Sequence, residues 1–237
     1  MSPTSLHSLF EGLAWVAALA MGLWTRPRFQ AAARLPLPGR RYPIYLLLVW
    51  LGAVVGAYGL GSLNLALAGI AGEGRSILGA ILGGIIVAES YKAIYRIRGS
   101  TGAVFVLPLA IAIAIGRIGC FLAGLPDYTY GTPTNLPWGF DFGDGLPRHP
   151  VQLYESFVMA GFALFYYFWL RRRPVDAASY GFYFFAAVYG AQRFLWEFLK
   201  PYPTVVGPLN VFHMAAAVLV LYAAAMSRRA AATHAIA

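Results

Sequence analysis

The sequence predicts an all-α integral membrane protein, a bundle of about seven transmembrane helices. Three observations carry this expectation. Of the 237 residues, 59% are hydrophobic and only 11% are charged, against roughly 25% charged in soluble domains. A chain of this size cannot bury so much apolar surface against itself, so its solvent must be lipid. The apolar residues also fall into runs close to the roughly 20 residues needed to cross a bilayer. Finally, the basic residues gather in alternate connections between those runs, as they do in multi-pass proteins.

The runs lie at about 7–24, 44–61, 76–95, 101–122, 151–170, 180–199 and 208–227. The first lacks a basic lead-in and a small-residue cleavage site, so it is expected to be a retained span. The third is the most diluted, because Glu89, Tyr91 and Lys92 interrupt its end. The stretch 62–74 is apolar but too short to span, and reads as a re-entrant or interfacial piece sheltered by protein. The length fits a single transmembrane domain over 1–237, with no room for a separate soluble module. The one cysteine, Cys120, excludes an internal disulfide.

Charge placement sets the expected orientation. Arg26, Arg28, Arg34, Arg40 and Arg41 lie between spans one and two, and Lys92, Arg96 and Arg98 between three and four. Arg171, Arg172 and Arg173 lie between five and six, and Arg228 and Arg229 follow span seven. These are 13 of the 18 basic residues, all on one side, which is assigned to the cytoplasm. The N-terminus is then outside and the C-terminus cytoplasmic. The net charge of +9 is accounted for by topology and anionic lipid, so no nucleic-acid partner is expected. The other face carries the longest loop, about 123–149, rich in Gly, Pro, Asp and aromatic residues. A long structured loop of this kind usually carries function.

Five basic residues remain, Arg75, Arg117, Arg148, Arg193 and Lys200, on the outer loops or the outer part of a span. Arg117 sits in Ile-Gly-Arg-Ile-Gly-Cys-Phe, apolar on both sides. An arginine there costs several kcal/mol unless it is paired or hydrated. It either snorkels to the interface or binds an anion in a cavity, with Gly116 and Gly119 allowing close approach. Arg193 and Glu197 are four apart on one helix face, an arrangement that serves as an internal ion pair or as a phosphate clamp oriented by its carboxylate. Guanidinium forks match phosphate oxygens, so two such arginines in one half of a bundle fit a phospholipid headgroup.

Arg148-His149-Pro-Val-Gln152-Leu-Tyr154-Glu155 leads from the long loop into span five. Gln152 and Glu155 share a face. Glu155 suits either a helix N-terminus or a base, or a carboxylate that orients one. His149 is either an ordinary loop histidine or a proton carrier. Glu89 and Lys92 read as an interfacial pair, and His213 as a packing residue. His7 and His234 are terminal and carry no evident signal. There is no metal-ligand spacing, P-loop or dinucleotide fingerprint, so neither a metal nor a cofactor is expected.

Three blocks together resemble the prolipoprotein diacylglyceryl transferase family: Gly116-Arg117-Ile118-Gly119 with Phe121; Pro147-Arg148-His149-Pro150-x-Gln152-Leu153-Tyr154-Glu155; and Tyr189-Gly190-x-x-Arg193-x-x-x-Glu197-Phe198. The strong part of the resemblance covers about 101–202. It implies a bacterial inner-membrane enzyme that moves the diacylglyceryl group of phosphatidylglycerol to a lipoprotein-precursor cysteine, releasing glycerol phosphate. It also implies that Arg117 and Arg193 match the essential arginines, with Glu155, Tyr189 and Glu197 as supporting polar residues. Two positions depart from the pattern. Leu78 stands where the family carries a functional His, and Cys120 stands where it usually carries Asn. Cys120 is either a buried small residue or a nucleophile suited to thioester chemistry. These departures leave two further readings open, a relative with the same phospholipid donor and a different acceptor, and a non-catalytic phospholipid-binding protein.

Overall fold

The structure, a computed structural model, describes residues 3–32 and 41–234. Arg34 and Arg40 of the expected basic loop lie outside the described residues. Seven long helices run α1 (Pro3–Ala32), α2 (Arg41–Leu67), α3 (Ile77–Ile94), α4 (Val106–Ala123), α5 (Val151–Arg172), α6 (Pro174–Glu197) and α7 (Val211–His234). Short 3₁₀ turns, Ala103–Phe105 and Leu125–Asp127, flank α4. Six of the seven, all but α6, are long and apolar enough to cross a membrane, as expected of an integral membrane helical bundle.

The exception has a physical reason. At 24 residues α6 is about 36 Å long, sufficient for a hydrocarbon core of roughly 30 Å. Its polar residues, Gln192, Arg193 and Glu197, are buried in the bundle rather than turned to lipid. The lipid-facing side is instead built from exposed apolar residues such as Val55, Ile86, Phe157, Leu164 and Leu221. Large apolar exposure of this kind marks a surface whose natural solvent is not water.

One expectation is corrected. The stretch 62–74 is not a separate re-entrant piece. The 27-residue α2 continues through Leu67, and a turn over 68–69 begins the connection to α3. The chain stays helical because Leu63 and Leu67 remain exposed on the apolar side, while Ser62 accepts a hydrogen bond from the Gly74 amide at 3.2 Å.

α2 packs on α3 through facing glycines. Gly52 and Gly56 on α2 meet Gly79 and Gly83 on α3, so a methyl group on Gly56 or Gly83 would run into the facing carbonyl oxygen, of Gly79 or Gly52 respectively. Each pair is spaced four apart, the small-xxx-small pattern that lets helix backbones touch. Leu78, on the same helix, is fully buried in the apolar core with Ile81, Leu107, Phe185 and Tyr189. The Glu89–Lys92 pair forms at 2.8 Å, and Tyr222 Oη donates to Glu89 at 2.8 Å, tying α3 to α7.

A core helix contact made of backbone has no side chain to yield. Gly79→Leu is therefore expected to lower the detergent melting temperature by many degrees, whereas Gly59→Leu, in open space, should leave it nearly unchanged.

Candidate functional site

The residues singled out on α4, α5 and α6 converge at the end of the bundle that carries the long loop. Glu155 lies in the second turn of α5 and is fully buried. Its Oε1 accepts from Arg193 Nη1 at 2.6 Å and from Lys200 Nζ at 2.7 Å. Its Oε2 lies against Arg117 Nε of α4 as an ion-pair contact outside hydrogen-bond alignment. Arg193 Nη2 also contacts Glu197 Oε1 at 2.5 Å, and Lys200 Nζ lies 3.4 Å from the same oxygen. Three cations thus face two carboxylates, leaving one positive charge in excess among these five residues. An isolated charge at this depth would be costly, and mutual pairing is what makes burial tolerable.

The chain builds this cluster from local rules. Arg193 and Glu197 share a face of α6. Lys200 follows where the helix ends, before Pro201, and folds back under the cluster. Asn210 caps α7: its Oδ1 accepts from the Phe212 and His213 amides at 2.9 and 3.0 Å. Its Nδ2 donates to Glu197 Oε2 at 3.3 Å, and its own amide donates to His213 Nδ1 at 3.1 Å. His213 is thus a packing and capping residue, edge-on to Phe194 and tilted against Phe198.

Several buried polar atoms beside the cluster have no hydrogen-bond partner among the described residues: Tyr189 Oη, Arg193 Nε, and both amide atoms of Gln152 and of Gln192. Gln152 and Tyr189 are fully buried. Leaving such groups unsatisfied costs about 1–3 kcal/mol each, and they are concentrated around the surplus positive charge. Gly116 faces open space beside Arg117, whereas Gly119 is a contact residue whose missing side chain admits Phe10 of α1.

Arg148 and His149 lie in the 124–150 loop, Tyr154 in the first turn of α5 and Cys120 in the last turn of α4. The loop carries a hairpin of β1 (Phe140–Asp141) and β2 (Pro147–Arg148). Asp141 Oδ1 organises its turn by accepting from the amides of Gly143, Asp144 and Gly145. Thr132 N donates to Leu199 O at 2.6 Å, which binds the loop to the end of α6. Arg148 pairs with Asp144 at 2.5 Å and stacks over Tyr130 at 5.0 Å, so it braces the hairpin rather than joining the buried cluster. The Arg148 guanidinium holds the Asp144 carboxyl below its ordinary value of 3.8. That pairing contributes above this value and fades only as pH falls through the lowered one. His149 is half-buried, with Nδ1 3.5 Å from Tyr154 Oη. Tyr154 also accepts from Trp138 Nε1 at 2.8 Å and packs on Trp196.

Sequence reasoning missed two members of the site, Lys200 and Asn210. Lys200 was visible only as a basic residue after span six, although its spacing of three from Glu197 is a usable signal. Asn210 lies inside the apolar run expected at 208–227, so nothing in the sequence set it apart. Cys120 is half-buried, 3.9 Å from Arg117 Nη1.

This is a multi-pass helical membrane protein with a buried, arginine-rich polar site at one end. The profile of the prolipoprotein diacylglyceryl transferase family matches residues 10–228, and the chain belongs to that family. It is 38% identical over 131 residues to the phosphatidylglycerol–prolipoprotein diacylglyceryl transferase of Bordetella parapertussis, covering 54% of this chain and 48% of that one. The enzymes of the same name from Cupriavidus metallidurans and Geobacter sulfurreducens are each 39% identical, over 134 and 127 residues. They cover 54% and 52% of this chain and 47% and 46% of their own. The chain spans about half the length of the curated relatives it matches.

Removing Glu155 would leave three buried cations without their shared partner. Glu155→Gln is expected to destabilise the protein by about 3–5 kcal/mol, read as a lower melting temperature in detergent. Asp144→Asn, at the exposed hairpin, should shift it little.

Proposed function

We propose that this protein is a bacterial inner-membrane transferase that moves diacylglyceryl from phosphatidylglycerol to the cysteine thiol of a lipoprotein precursor. The observation that carries the reading is the surplus positive charge of Arg117, Arg193 and Lys200 around two carboxylates, beside unsatisfied buried polar atoms. Family membership supports it, as do the names of the relatives.

The reaction breaks the bond between a glycerol carbon and a phosphate oxygen as the acceptor sulfur bonds to that carbon. The departing phosphate takes the bonding electrons, and the thiol proton leaves to a base or to solvent. Charge therefore grows on the leaving group, where fixed cationic donors help most. Arg117 and Arg193 hold the phosphate, with Lys200 adding charge from behind. Glu155 and Glu197 hold the guanidinium planes in place. Glu155 suits this orienting task better than that of a base, because both of its oxygens are already occupied by cationic groups. His149, at the loop, manages the proton. Tyr189 and Gln152 face the headgroup with their unpaired polar atoms, while Arg148 and Tyr154 shape the loop above it. The basic connections face the cytoplasm, the N-terminus lies outside, and the loop at 123–149 meets the acceptor on the far side.

The second reading keeps the phospholipid donor and changes the acceptor. It is favoured by Leu78, which fills the expected histidine position with fully buried apolar packing, and by Cys120 in place of Asn.

Purified protein with phosphatidylglycerol and a lipobox peptide is expected to release glycerol phosphate and to yield diacylglyceryl-modified peptide. Arg117→Ala and Arg193→Ala should each lower the rate by roughly 100-fold or more. Variants as active as the parent would overturn the assignment. Glycerol phosphate release dependent on a different acceptor, with the peptide unmodified, would select the second reading.

A further inference from the structure

Apart from the anion site, three side chains from distant parts of the sequence meet at the same end of the bundle. His7 of α1, Cys120 in the last turn of α4 and Asp127 of the following 3₁₀ turn each present one donor atom, and these atoms lie within 4.8 Å of one another. His7 Nδ1 is 3.4 Å from Asp127 Oδ1. Nevertheless His7 Nδ1 is buried without a hydrogen-bond partner. Two lone pairs facing each other at that distance repel, so this contact holds either a proton on Nδ1 or a bound cation.

We propose that His7, Cys120 and Asp127 form a binding site for a zinc-class divalent cation. The donor set is one imidazole nitrogen, one sulfur and one carboxylate oxygen, the mixture that suits a borderline-soft ion. Tetrahedral bonds of about 2.0–2.3 Å place ligand atoms roughly 3.3–3.8 Å apart. The His7–Asp127 separation already falls there, and the Cys120 sulfur lies within 4.8 Å of both partner atoms.

The surroundings are arranged to support ligation. Asp127 Oδ2 accepts from Thr129 Oγ1, which fixes the carboxylate with Oδ1 turned to His7. Arg117 Nη1 lies 3.9 Å from Cys120 Sγ, so a thiolate there has a cationic neighbour. Outer partners of this kind orient metal ligands and tune them. Charge also balances, because a thiolate and a carboxylate cancel a divalent ion and Arg117 meets no net repulsion. Binding releases the thiol proton to solvent. Three protein ligands leave the fourth tetrahedral position for water or another sulfur donor. The ion would also pin α1 to the end of α4, where Phe10 already packs at Gly119. Cys120 and Asp127 lie seven residues apart, but no local spacing announces the site because His7 lies far from both along the chain.

The test uses the full chain in detergent, stripped with chelator and titrated with Co²⁺. One equivalent should bind and give thiolate-to-cobalt charge-transfer absorption in the near ultraviolet, displaced by Zn²⁺, and Zn²⁺ should raise the melting temperature. His7→Ala, which keeps the sulfur, should lose this absorption, and Asp127→Asn should weaken Co²⁺ binding by at least about 10-fold. His149→Ala should bind normally. Absence of the charge-transfer band in the parent protein, or unchanged binding by His7→Ala, would overturn the proposal. If His7→Ala fails to fold, X-ray absorption of the zinc-loaded parent protein decides. A shell with one sulfur and an imidazole supports the site, and a shell lacking sulfur overturns it.

Discussion

Glu155 holds the structure's most demanding interaction. Its carboxylate is fully buried, and it takes one arginine from α4, another from α6 and a lysine from the segment after α6. Each of these charges, alone at bundle depth, would oppose folding by several kcal/mol. Together they are tolerable only when α4, α5 and α6 adopt one mutual position. The cluster therefore acts as a geometric lock more than as a source of net stability. Glu197 extends it to α7 through Asn210, so the start of the last helix is set by the same network. The surplus positive charge follows from the count of partners.

The rest of the bundle frames that site. α2 and α3 touch through glycine backbones, a dense pairing on the flank that leaves their outer faces apolar. The 124–150 loop is held by its hairpin, by Thr132 on Leu199, and by the edge-on and tilted aromatic cluster of Phe121, Phe140 and Phe142. A loop so braced keeps His149 and Tyr154 near the start of α5 while leaving the buried arginines to α4 and α6. Positioning belongs to rigid helices and access to a structured loop, the division expected where a charged headgroup must be held in a fixed pose.

Much of this was legible in the sequence because the governing forces are local or compositional. Span number follows from hydropathy, and the Arg193–Glu197 pair from helical spacing. Arg117 announced itself by its cost in apolar surroundings. Other features depend on tertiary proximity and leave little trace. Glu155 read equally well as helix-dipole charge until its three partners were in place. Lys200 looked like an interfacial lysine because it lies beyond the helix end. Gly119 looked like a site residue, yet the body that approaches it is Phe10. The stretch 62–74 misled because its polar atoms find partners within α2 and its connection, so the helix simply runs on. His7 carried no signal at all, since its neighbours Cys120 and Asp127 lie more than a hundred residues away.

The central claim is that Arg117 and Arg193 hold a lipid phosphate directly. Solid-state NMR of the protein in phosphatidylglycerol bilayers, with ¹⁵N-guanidinium arginine and natural ³¹P, measures that contact through nitrogen–phosphorus dipolar dephasing. The account predicts dephasing from arginines held at hydrogen-bond range from phosphorus, markedly reduced in the Arg117→Lys/Arg193→Lys double variant. Dephasing equal in the parent and the double variant would place the phosphate on other arginines and contradict it.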